Sequence, residues 1–316
     1  MSKNITDASI LTVGSNIIPC LPSWFLYLEQ QDYPLGRMEW IIFTTEDNPE
    51  GIQKTYSLIE GSPLRVRFFS FPDRTVRQCW DLALQEATGD VIICSIGDVV
   101  PAPGWVSGHV NVIKSKGNAC VAGIVLPHPK IHPKSVTRWF LPEESAPDPS
   151  KENDESAIFS VTIANLSFPR EFALKLGGFN KNFIFEEFME VELVKRLILG
   201  GAKFHISEDA LVWVWRGNSY LDLCKYHYKR GYSIRTYLNL YPEDYHIQWT
   251  YKLLRSFPVR LFYSITFPYY HRICTKFPED SRNLSRIYTR MFRYWRAKGF
   301  WDASSNRFPQ IEKFFG

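Results

Sequence analysis

The chain has 316 residues, 45% of them hydrophobic and 16% aromatic, enough to bury the core of one large α/β domain with an appendage. Six cysteines (20, 79, 94, 120, 224, 274) show no C-x-x-C and no metal-ligand spacing, which argues against a disulfide framework and for reduced thiols in a cytoplasmic setting. The net charge of +4 is uneven: residues 246–316 hold 13 Lys/Arg against 4 Asp/Glu, so the basic character belongs to the tail. The opening MSKNITDASILTVG lacks signal-peptide architecture, and no run approaches the ~18 apolar residues of a membrane span.

Residues 8–14 (ASILTVG) read as a first strand ending at Ser15-Asn16. Residues 21–31 have helical spacing, with Leu21, Trp24/Phe25 and Leu28 on one face, until Asp32-Tyr33-Pro34 breaks the pattern. Residues 39–43 form a second buried strand, and the polar turn 44–48 opens the next helix. Residues 64–69 alternate like a third strand, and 75–87 form a helix with Cys79, Leu82 and Ala83 inward. The turn Thr88-Gly89-Asp90 feeds Val91–Cys94, too short and too β-branched for a buried helix and so read as a central parallel strand. A helix over 105–116 and a buried strand over 119–126 follow. This alternation predicts a mostly parallel sheet covered by helices on both faces. Residues 127–156 dissolve into prolines, charges and small residues, a flexible loop or lid. Its His128 and His132 have no Cys or acidic partner at ligand spacing and read as exposed loop histidines.

Chemistry concentrates in two places. Asp98 follows the central strand, flanked by Gly97 and trailed by Pro101, Pro103 and Gly104. It either starts a turn or holds a metal bound to phosphates, because ligands of open α/β sheets bind at the carboxyl ends of strands. The second block is 163–201, where an aromatic strand, a short helix and Gly177-Gly178-Phe179 lead to an acidic loop and a helix stopping at Gly200-Gly201. Helical spacing puts Glu186 or Glu187 on one face with Glu190, whereas Glu192, four residues before Arg196, suits a surface ion pair. Crowded carboxylates at a helix N-terminus either complement its dipole or hold one carboxylate whose pKa is tuned for base work. Residues 202–206 and 210–215 read as short closing strands, with a half-buried His205.

These blocks together resemble the family 2 glycosyltransferases, inverting enzymes of the GT-A fold. The run A-x-G-D-hydrophobic, a D-x-D motif and P-x-W-hydrophobic are matched at 87–106, with Ile96 in place of the first aspartate of D-x-D and Asp98 as the last. The pattern N-x-x-x-x-R-x-x-F-x-x-x-G-G-F-(D/N), then E-L-x-x-R, is matched at Asn165, Arg170, Phe172, Gly177, Gly178, Phe179, Asn180, Glu192, Leu193 and Arg196. The resemblance implies a GT-A-like nucleotide-diphospho-sugar transferase domain over 1–245 and a helical C-terminal extension over 246–316. It implies transfer of a sugar from a nucleotide-sugar to a hydroxyl of a glycan or lipid-linked acceptor, with Glu190 as catalytic base and Glu187 in reserve. Donor contacts are expected at Asn16, Thr44, Thr45, Asp81, Gly97, Asp98 and Arg216, and acceptor contacts at Gly178, Phe179 and Glu186. Asp98 is the expected ligand of Mg²⁺ or Mn²⁺. Trp215 stands where relatives carry a histidine, so with Ile96 two phosphate–metal contacts are missing, and Arg216, Lys229 and Arg230 offer a metal-independent way to neutralise a diphosphate. The same departures leave open a non-catalytic binding or assembly partner of this fold.

In the tail, Leu284, Ile287, Tyr288, Met291 and Trp295 form an apolar stripe opposite Arg282, Arg286, Arg290 and Arg293. Such a helix either lies in a lipid headgroup plane at the inner face of the membrane or packs on the catalytic domain or a second subunit. No nucleic-acid-binding motif accompanies the charge, and no nucleic acid partner is expected.

Overall fold

The computed structural model describes residues 6–131, 155–215, 217, 219–248, 251, 256–276 and 285–315. Eight strands, β1 Ala8–Gly14, β2 Met38–Thr44, β3 Arg65–Ser70, β4 Val91–Ser95, β5 Val99–Pro101, β6 Ala119–Pro127, β7 Leu166–Pro169 and β8 Lys203–Val214, form one sheet in the order β3-β2-β1-β4-β7-β6-β8-β5. β1 to β4 run parallel to one another. β7 is antiparallel to both β4 and β6, β8 is parallel to β6, and β5 closes the edge antiparallel to β8. β2 and β4 are buried along their whole length, as strands covered on both faces must be.

The flanking helices are α1 Leu21–Glu29, α2 Pro49–Glu60, α3 Val76–Glu86, α4 Trp105–Lys116, α5 Arg170–Lys175 and α6 Met189–Leu199. Their starts follow from side chains that satisfy orphan amides. Asn48 caps α2 by accepting from the Gly51 N–H at 3.0 Å, with Pro49 at the first helical position. Thr75 and Gln78 make a capping box on α3.

Two elements differ from the sequence reading. β5, three residues long and directly after Asp98, is too short to show a period. Residues 203–214 are one strand rather than two. Ser207 sits opposite Gly123 and Leu211 opposite Ile124, so residues 208–210 bulge out of an otherwise continuous pairing with β6. Asn165 pins that bulge. Its amide donates to the carbonyls of Ile124 (2.9 Å) and Ala210 (2.8 Å), while its Oδ1 meets Trp105 Nε1 and His109 Nε2, each at 2.8 Å. Burial pushes His109 down to about 4. The ring is therefore neutral, donating from Nε2 and accepting the Ser167 hydroxyl at Nδ1 (2.8 Å). Gly123 makes the arrangement fit, because a Cβ there would lie 2.3 Å from Asn165 Nδ2 and 2.1 Å from the Ala210 oxygen.

The chain divides into two compact units. One runs to His128, resumes ahead of Asn180 and takes Glu190 onward to the end of β8; the other takes Lys181–Met189 and the described residues from Gly217 on. The division falls ahead of the helix at 220. The second unit contains α7 Tyr220–Leu240, α8 Phe257–Lys276, α9 Ser285–Ser304 and α10 Ile311–Phe315. Ser219 and Asp222 form a capping box at the start of α7. Tyr220, Leu223, Cys224 and Tyr228 of α7 share a buried core with Cys274 of α8 and Tyr288, Met291, Phe292 and Trp295 of α9. The apolar stripe predicted to face lipid, the catalytic domain or another subunit is thus interior to this unit; Leu284 and Arg282 lie outside the described residues. Of the expected loop over 127–156, His132 and the residues to 154 also lie outside the described residues. His128 is not an exposed loop residue. Its N–H donates to the Val214 carbonyl at 3.0 Å and its ring packs edge-on to Trp213 and Trp215. Among the described residues no helix is long and apolar enough to cross a membrane.

Candidate active site

In the first unit the carboxyl ends of β1, β2 and β4 lie side by side, because β1 pairs with both neighbours in parallel register. Asn16, just past β1, is exposed and holds a left-handed backbone at φ 60°. The β1 and β2 ends are tied by the Thr45 N–H donating to Gly14 O. Thr44 is fully buried, and its hydroxyl is committed locally: it donates to Glu46 Oε1 (3.2 Å) and accepts from the Glu46 N–H (3.1 Å). Glu46 in turn accepts from the Ile18 N–H at 2.9 Å. The polar residue organising this corner is therefore Glu46, missed in the sequence because its role depends on Ile18, 28 residues away. Thr45, half-buried beside it, keeps an accessible side.

At the end of β4, the Gly97 carbonyl accepts from Trp24 Nε1 at 3.2 Å, and a Cβ on Gly97 would lie 2.7 Å from Ile17 Cγ2. Packing against Ile17 requires glycine there. Asp98 is half-buried, with Cys20 Sγ at 3.9 Å from its Oδ1, and its carbonyl accepts from the Trp215 N–H at 2.8 Å. Trp215 packs against Tyr27 and His128. Arg216 lies outside the described residues. Asp81 is not a free donor contact; it pairs with Arg77 at 2.8 Å, both side chains largely covered. His205 is buried on β8, opposite Val121.

Glu190, in the first turn of α6, is 3% exposed. Burial pushes the Cys94 thiol of β4 well above its usual range, and the Glu190 charge adds to the rise. Glu192 is not a surface pair. It is buried and bound through both oxygens to Arg196 (2.8 Å each), whose guanidinium also donates to the carbonyls of Leu176 and Gly178 at 2.6 Å. Gly177 and Gly178 have φ of 93° and 66°, the left-handed region that favours glycine. The Phe179 ring is fully buried against Trp80 and Phe168.

In the second unit, Lys229 Nζ sits 3.1 Å from both Glu186 and Glu187. Burial, with the Glu186 charge added, pushes Glu187 up to about 8 against the opposing pull of Lys229. Its second oxygen is buried without a hydrogen-bond partner among the described residues. Lys229 is raised in turn: its two carboxylate neighbours outweigh its own burial. Arg230 stacks over Phe188, which is held at φ 79°. Lys229 thus pairs with both carboxylates.

A resident metal centre does not fit these residues. Among the described residues no three His, Cys, Asp or Glu side chains group as ligands. A cation carried in by a diphosphate needs only one or two carboxylates from the protein.

The strand order, with four parallel strands ending in a polar corner and an antiparallel β7 inserted next to the central strand, defines a GT-A-like α/β fold. Among solved structures the chain is similar to the mannosyltransferase PcManGT from Pyrobaculum calidifontis in complex with GDP-Man and Mn²⁺, with TM-score 0.66 and 13% identity over 96% of this chain and 88% of that one. It is also similar to S. aureus TarS 1–349, with TM-score 0.54 and 9% identity over 96% and 93% of the two chains, and to the same protein in complex with UDP, with TM-score 0.52. No family model matches the chain, and no curated protein does.

Proposed function

We propose that the chain is a cytoplasmic inverting glycosyltransferase of the family 2 type, moving a sugar from a nucleotide-sugar to a hydroxyl of a glycan or lipid-linked acceptor. The observation that carries this reading is the buried Glu190 carboxylate in the first turn of α6, in the same unit as the Gly97-Asp98 turn that follows β4. Glu190 takes the proton of the acceptor hydroxyl as its oxygen attacks the anomeric carbon; the bond to the donor breaks and its electron pair leaves on the diphosphate. Asp98 holds the diphosphate side of the site, with Asn16, Thr45 and Arg216 as further donor contacts. A Mg²⁺ or Mn²⁺ ion arriving with the donor would be held by Asp98 and would offset charge on the leaving group. Glu186 is the acceptor contact that remains, and Glu187 the reserve base.

Calorimetry with UDP- and GDP-sugars, with and without Mn²⁺, tests the donor side, and radiolabelled transfer tests the chemistry. Glu190→Gln is expected to lower transfer by about 10³-fold or more while leaving donor affinity nearly unchanged. Full turnover in that variant rejects Glu190 as base. Ile96, and Trp215 packed against Tyr27 and His128, favour the second reading, a non-catalytic binding partner. An absence of binding to every nucleotide-sugar would favour it.

A further inference from the structure

The second unit buries the stripe on α9 and leaves a different one open. On α8, Phe257 is 74% exposed, Leu261 47%, Phe262 53%, Ile265 68% and Tyr269 67%. At 100° per residue these five side chains fall within a single arc of about 140°, the width of an apolar face that ordinarily meets another apolar surface. Arg272 and Lys276 fall within the same arc one to two turns further on. Arg290 of α9 flanks the helix, donating to the Tyr270 hydroxyl at 2.7 Å and stacking on its ring. Arg286 and Arg293 are exposed on the same helix.

Charge decides what covers this face. α8 and α9 together carry eight Lys/Arg and a single carboxylate, Asp302. That carboxylate is 2% exposed and neutralised by Lys298. A second copy docking face to face would bring arginines against arginines, whereas a layer of anionic headgroups complements them and accepts the aromatic and aliphatic side chains beneath. We infer that α8 is an interfacial helix that seats the C-terminal helical unit on an anionic lipid bilayer. This rests on the second unit alone and stands apart from the glycosyl-transfer reading.

The experiment is co-sedimentation of the full chain with phosphatidylcholine–phosphatidylglycerol vesicles and with pure phosphatidylcholine vesicles, at low and high salt. The native chain is expected to bind the anionic vesicles and to release as salt rises. Ile265→Asp and Leu261→Asp should each lower partitioning by about tenfold or more, and Arg272→Glu with Lys276→Glu by about fivefold per cation removed. Since these side chains are exposed, melting temperatures should hold. Failure of the native chain to bind anionic vesicles overturns the inference, as does binding unchanged in the Leu261 and Ile265 variants. A dimer in analytical ultracentrifugation that Ile265→Asp dissolves would assign the face to a second copy instead.

Discussion

Asn165 shows how much one side chain can be asked to satisfy. Its amide closes two carbonyls of the β6–β8 bulge, and its oxygen takes a tryptophan and a histidine donor, all in a fully buried setting. Asn165→Leu keeps the approximate size and strands all four partners. The cost of leaving buried polar groups unsatisfied predicts a loss of about 3 kcal/mol or more in urea unfolding. Within the matched pattern, Arg196 binds Glu192 and the carbonyls of Leu176 and Gly178, and Phe179 packs on Trp80 and Phe168. Sequence spacing alone ranked Glu192–Arg196 as an exposed pair because it registers helical neighbours and not the carbonyls of Leu176 and Gly178 that Arg196 reaches.

At the level of elements, the tightest contact is the crossing of α7 and α9. A Cβ on Gly231 would lie 1.9 Å from the Arg296 oxygen, and one on Gly299 1.9 Å from the Tyr228 oxygen. Backbone cannot retreat as a side chain can, so Gly231→Ala should force the helices apart and lower the stability of this unit by about 2 kcal/mol or more, read by denaturant unfolding. Strands β1, β2 and β4 were legible in the sequence because burial on both faces writes apolar runs, β3 because its residues alternate, and helices α1, α3 and α4 because of their spacing and of caps such as Thr75. β5 was not, being three residues whose only signal is pairing with β8. The stripe on α9 was read as a periodicity, correctly as a helix face, but a one-dimensional pattern does not say which partner covers it. Asp98 and Glu190 were legible as types at strand and helix ends; Glu46 and Cys20 were not, since their partners come from distant segments.

For the whole molecule, acid sensitivity follows from carboxylates buried at the amino ends of the strands. Burial by itself raises Glu39, but hydrogen bonds from Ser9 and from the Thr88 amide and hydroxyl, together with Arg67, more than offset it and hold its pKa below the ordinary value of 4.5. Asp7 is likewise lowered against its own burial by Lys114, Tyr33 and Arg37. A carboxylate whose pKa falls on folding stabilises the native state above its unfolded pKa and loses that contribution as pH falls through the folded value. The contribution of Glu39 should therefore be present in full from pH 7 down to about 4.5 and be lost progressively below it, so the gap in urea midpoint between the native chain and Glu39→Gln should narrow as pH falls below about 4.5.

The protrusion at 208–210 has one more effect. Along β8 the buried Val212 and Val214 alternate with the half-covered Leu211 and Trp213. A chain one residue shorter would either stretch this detour or let the strand slide by a step, and sliding would exchange those two sets of side chains across the sheet. The tryptophan amide that grips the Asp98 carbonyl would then arrive out of phase, so an indel far from the polar corner would be felt within it.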